Sequence, residues 1–144
     1  MPFTEVNWLA VVVASIACFI VGFVWFGPKT FYPVWVRALG GDPSVPPDMS
    51  KGLPMNVVWI VLVVAILVQA VVLAALIELL RATGQSVGPW GGLATGALMG
   101  VAFAAMTSLG HRLFSGQGLK VWLIEVGQDI AGLAVMGLVI GAWA

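Results

Sequence analysis

Four long apolar runs, at about residues 6–27, 54–80, 90–112 and 120–143, constrain this chain more than any other feature. Each is close to the roughly 20 residues a helix needs to cross about 30 Å of hydrocarbon. Backbone groups in lipid must be satisfied within their own segment, so runs of this length read as helices. The expected fold class is all-α: a polytopic membrane protein, built as an antiparallel four-helix transmembrane bundle with a short interfacial segment after the first span. Residues 1–144 form one domain. The composition agrees, at 61% apolar and 8% charged, against about 45–50% and about 25% in soluble domains. Such a chain cannot clothe itself in a polar surface, so the lipid bilayer is its expected surrounding. Its formal net charge is zero, which gives no sign of a nucleic-acid partner.

The tryptophans mark the ends of the runs. Trp8 and Trp25 bracket the first and Trp122 and Trp143 the fourth, while Trp59 and Trp90 lie near the starts of the second and third. The bracketing pairs are separated by about 26 and about 32 Å along a helix, the spacing of two interfacial aromatic belts. Lys29, Arg37 and Lys51 lie between spans one and two, Arg112 and Lys120 between three and four, and only Arg81 on the other side. The positive-inside rule then places the protein in the inner (cytoplasmic) membrane with the loop at about 28–53 inside and both termini outside. That loop contains "GGDPSVPPDMSKGLP", whose four prolines read as surface loop, with Pro54 expected in the first turn of the second helix. Before it, "KTFYPVWVRAL" is too short and too basic to span and reads as the interfacial elbow. Glu5 stands where a secretory signal carries Lys or Arg, so the first run is expected to remain as a span.

Close helix packing in lipid depends on small residues and polar contacts. Gly92, Gly96, Gly100, Ala104 and Ser108 recur every four residues along the third span, and Ala10, Ala14, Cys18 and Gly22 along the first. The second span is bulky and β-branched, suited to facing lipid, with Gln69 expected to point inward. On the fourth, Gly127, Ile130, Ala134, Gly137 and Gly141 form one stripe, and Glu125, Gln128, Asp129 and Gly132 another, roughly 170° away. The first stripe calls for a helix against it. The second cannot face lipid, because a charge at mid-membrane costs at least roughly 2.5–3.5 kcal/mol. One corner helix would struggle to shelter both, which implies self-association, a second membrane protein, or an enclosed polar cavity.

The fourth span also raises a chemical question, since Glu125 and Asp129 lie one turn apart in the hydrocarbon. Folding the last two spans back on each other brings Ser108 to the depth of Glu125, with His111 and Arg112 a turn nearer the surface. Gln69 falls at the depth of Asp129. The candidate proton or ion relay is therefore Gln69, Thr107, Ser108, His111, Glu125, Gln128 and Asp129. The plainer reading of the same cluster is interhelical hydrogen bonding, at about 0.6 kcal/mol for each bond. Glu78 and Arg81 are expected to form an interfacial ion pair, and Asn7 a helix cap. Cys18 stands alone, which excludes an intrachain disulfide and a CxxC metal or redox motif. No HExxH, GxSxG or phosphate loop occurs, so the protein is expected not to be an enzyme and to carry no cofactor or metal.

The opening "NWLAVVVASIACFIVGFVWFGPKTFYPVWVRALG" resembles a family of small bacterial four-helix membrane proteins classed as a domain of unknown function. The likeness rests on the Asn-Trp-Leu-Ala start, then on Gly22, Trp25, Phe26 and Pro28 closing the first span, then on Trp35 and Gly40. "MGLVIGAW" near the end extends it over essentially the whole chain. Tyr is the family's usual residue at Phe26, and the Glu125–Asp129 pair lies outside its hallmark. The resemblance implies the four-helix fold and no established activity. The leading functional expectation is a non-enzymatic membrane protein acting through helix-mediated assembly, as a homo-oligomer or as an accessory subunit of another membrane protein. The alternative is a small proton- or cation-coupled transporter, with Asp129 carrying the ion and Glu125 and His111 leading to the cytoplasm.

Overall fold

Four of the chain's helices are long and apolar enough to cross a membrane. The computed structural model describes residues 2–143 and shows only helices and loops among them. A 3-10 turn at Pro2–Thr4 precedes α1 (Trp8–Trp25), and the short α2 (Tyr32–Ala38) follows it. The remaining long helices are α3 (Met55–Ala82), α4 (Pro89–Phe114) and α5 (Gly118–Ala142).

Local chemistry explains the boundaries. Asn7 caps α1, its side-chain oxygen accepting from the backbone N–H groups of Leu9 and Ala10 at 3.1 and 3.2 Å. Beyond the other end of α1, the Thr30 hydroxyl donates to the Trp25 carbonyl at 2.8 Å. Pro33 and Pro89 sit in the first turns of α2 and α4, where a missing N–H leaves nothing unpaired. Pro54 differs from expectation: its extended backbone places it just before α3, which starts at Met55. α3 ends where Gly84 takes a φ of +86°, a left-handed conformation that frees the chain to turn. In the loop before α3, Ser44 and Ser50 hydrogen-bond the exposed carboxylates of Asp42 and Asp48 and hold them below the ordinary aspartate range.

α5 lies at the centre of the packing and touches every other helix. Its closest neighbour is α4, along the glycine stripe. Gly92 meets Gly137 and Gly141, Gly96 meets Leu133 and Ala134, and Gly100 meets Ile130. Numbers rise on one helix as they fall on the other. The backbones are so close that a methyl group at Gly92 or Gly137 would overlap the other's carbonyl oxygen. Gly127 behaves differently from the rest of its expected stripe, because it receives the Trp25 ring of α1. On the same side the Cys18 sulfur covers Gly132 and the Gln128 amide covers Gly22. α3 completes the core with Ala70, Leu73, Ala74 and Ile77, packed with Val11, Ala14, Met136 and Ile140. Its outer face stays bare, with Ile60, Val64 and Val68 more than half exposed.

The four-residue stripe of α4 changes register after Gly100. Residues Gly100–Ala105 form a π-helical turn, which accommodates one residue more than an α-helical turn. Ala105 therefore takes the buried place expected for Ala104, which lines a groove instead.

Arg81 ties one end of the molecule together. It pairs with Glu78 at 2.6 Å, and its guanidinium also donates to the carbonyls of Val87 at 2.9 Å and Gly141 at 3.1 Å. It thus joins α3, the α3–α4 loop and the end of α5. Arg81→Gln is expected to lower stability by about 1.5 kcal/mol, the value of a hydrogen bond to a charged group. Unfolding by SDS titration from a mild detergent, followed by circular dichroism, would measure it.

Candidate functional site

Glu125 is the best-anchored polar residue of the expected cluster. One carboxylate oxygen lies 2.6 Å from Nε of Arg112 on α4. The other accepts from the Trp35 indole N–H of α2 at 3.0 Å. Arg112 is held in turn by the Gln117 side-chain oxygen in the α4–α5 loop. Glu125 therefore clamps three helices, and its charge is matched within the chain. Expectation placed both His111 and Arg112 within reach of Glu125, and Arg112 takes the position. His111 is exposed and has no hydrogen bond among the described residues, so the relay order Asp129, Glu125, His111 is not joined by bonds.

The π turn of α4 contributes a second set of contacts. The Trp122 indole N–H of α5 lies 3.2 Å from both the Ala105 carbonyl and the Ser108 hydroxyl. Ser108 itself donates to the Ala105 carbonyl at 3.1 Å. A π turn leaves a carbonyl without its usual helical donor, and in hydrocarbon that carbonyl needs another. Trp122 and Ser108 supply it.

Asp129 stands apart from both sets. It is partly buried and has neither a hydrogen bond nor an ion pair among the described residues. It lines two openings. One is a groove of about 500 Å³ between α3, α4 and α5, which also receives Gln69, Thr107, Ser108 and His111. The other, of about 340 Å³, is bounded by Phe26, Ser108, Arg112, Glu125 and Gln128. Asp129 and Ser108 belong to both, forming the wall between them. Gln69 was expected to point inward. It is exposed at the groove's edge without a hydrogen-bond partner, because inward positions on that part of α3 belong to the small and branched residues that meet α1 and α5. Gln128 faces away from the groove, between the polar opening and an apolar cleft of about 390 Å³ against α1 and α3.

The structure thus divides the expected cluster in two. Gln69, Thr107, Ser108, His111 and Asp129 share the groove, while Glu125 and Gln128 share the polar opening with Asp129 and Ser108. Among the described residues no three of His, Cys, Asp and Glu come close enough to hold a metal ion together. Sequence reasoning missed the three indole donors. Trp25 donates to the Ile124 carbonyl at 2.9 Å, Trp35 to Glu125 and Trp122 to Ala105. Each had been read only as an interfacial anchor. A buried indole N–H requires an acceptor, and that requirement was the available signal.

A family model described as a protein of unknown function, DUF1761, matches residues 9–141. No curated protein matches the chain, and no solved structure does.

Proposed function

Because the chain belongs to the DUF1761 family, whose members are described only as proteins of unknown function, we propose its function from its own residues: a small proton- or cation-coupled transporter. The observation that carries this reading is the carboxyl group of Asp129, unpaired among the described residues and exposed to two separate openings. An unmatched charge in a span costs roughly 2.5–3.5 kcal/mol or more. Glu125, one turn away, is matched by Arg112 and Trp35, so the fold can supply partners in this region. Leaving Asp129 open suits a group whose counter-ion comes and goes.

In this reading the chain is an antiparallel four-helix bundle in the inner membrane, non-enzymatic, with α2 lying along the cytoplasmic headgroups and both termini outside. The polar opening at Glu125 and Arg112 faces the cytoplasm, toward the basic loops. Reconstituted in liposomes with an internal pH dye, the wild type is expected to exchange protons against a cation. Asp129→Asn is expected to lose that exchange while unfolding at the same detergent strength. Equal flux from the two proteins would defeat the proposal.

Assembly through helix packing remains as the second reading, in a narrower form. The two stripes of α5 that pointed outward to a partner both find contacts inside the chain. What still favours a partner is Gln69, whose amide is exposed and unbonded on the otherwise apolar outer face of α3. A second copy or another membrane protein could satisfy it. Native mass spectrometry of gently extracted protein tests this: a monomer at every detergent concentration would end that reading.

A further inference from the structure

We infer that the groove between α3, α4 and α5 binds a monovalent organic cation, a protonated or quaternary amine of amphipathic shape whose charge rests against Asp129. The inference rests on the ion-carrying role proposed for Asp129 and names what is carried. At about 500 Å³ the groove has the volume of a small-molecule site. Its walls are largely apolar, formed by Val72, Leu76, Met99, Phe103 and Leu133. Against such walls an inorganic cation would lose its hydration, with one carboxylate and a few neutral groups to replace it. Hard divalent cations require six or more oxygens. An organic cation keeps its apolar part on the walls and brings one positive charge, matching the single carboxylate. Phe103 adds an aromatic ring that is 62% exposed, able to take a cation on its face. The nearest fixed positive charge, Arg112, is already paired with Glu125 at 2.6 Å. Gln69, Thr107 and Ser108 supply neutral hydrogen-bonding groups around the charge.

The probe is radiolabelled tetraphenylphosphonium, dialysed to equilibrium against the purified chain in lipid nanodiscs, with empty nanodiscs subtracted. Saturable binding is expected, weakened about tenfold or more by Asp129→Asn, as the loss of one charge-assisted contact requires. Asp129→Glu should restore part of it. Val72→Trp should also weaken binding by filling the groove, and because Val72 is half exposed this variant sacrifices no core contact. Neutral triphenylphosphine oxide should not compete. No saturable binding, or binding indifferent to Asp129→Asn, would overturn the inference. If binding fails while Asp129-dependent proton or potassium flux persists in liposomes, the transport reading stands and only the organic substrate is lost. If binding depends on Asp129 and no flux is found, the site stands and the transport reading is lost.

Discussion

Gly96→Leu is expected to destabilise the protein by more than about 3 kcal/mol, at or above the upper end for an overpacked core. Usual overpacking pushes one side chain against another, and a change of rotamer relieves part of the strain. At Gly96 the added carbon would overlap the Leu133 carbonyl oxygen and crowd the Ala134 Cα, which are backbone atoms within a helix. Only separation of α4 from α5 makes room. That separation would also open the contacts at Gly92 and Gly100, because all three glycines lie on one contact line. Cys18 offers a direct readout, as the only cysteine in the chain and a buried one. Its maleimide labelling across an SDS titration should move to markedly lower SDS in the variant. Gly110→Leu is the control, since nothing lies within 4 Å of a side chain added there. Equal labelling midpoints for Gly96→Leu and Gly110→Leu would contradict the packing described.

Glu125→Ala should cost about 3 kcal/mol, the lower end for breaking a buried ion pair. The lower end applies because the Arg112 side chain is 36% exposed and can recover some hydration, whereas that of Glu125 is 18% exposed. The substitution leaves the Arg112 guanidinium without its carboxylate and the Trp35 indole without its acceptor. Glu125→Gln isolates the two losses. It keeps an oxygen for Trp35 and removes only the charge, so its effect should lie well below that of Glu125→Ala. Replacing both Glu125 and Arg112 by leucine should be milder than Glu125→Ala alone, since no charge is then stranded. The same SDS titration orders the three variants. A double substitution worse than Glu125→Ala would mean the two residues are not coupled.

Much of the fold was legible because its causes are local. Hydropathy over about 20 residues marked the four long helices, Asn7 marked the start of α1, and the spacing of Gly92, Gly96 and Gly100 marked the closest contact. The candidate site was harder to read, for physical reasons. His111 and Arg112 lie about 100° apart around a helix, so a modest rotation decides which of them meets Glu125. Periodicity gives the shape of a face and leaves its absolute rotation open. The π turn at Gly100–Ala105 adds a rotation of its own, so Ala105 is buried where a straight helix would bury Ala104. Gly127 was placed in the stripe that meets α4, and the Trp25 ring reached it from the opposite side. The reach of a tryptophan across two helices is not written in the spacing of either.

The wide turn of α4 makes the groove sensitive to residue count as well as residue type. Deleting one residue between 100 and 105 would let α4 run as an unbroken α-helix, and everything beyond would turn by about 100°. Thr107, Ser108 and His111 would leave the groove together, Trp122 would lose its Ala105 acceptor, and Arg112 would swing away from Glu125. Hydropathy and composition would hardly change. Relatives of this chain that lack one residue in that turn would keep four apolar helices and lose the polar side of the groove, so the length of the segment, counted between Gly96 and Ser108, separates chains that can share its chemistry from chains that share only its fold.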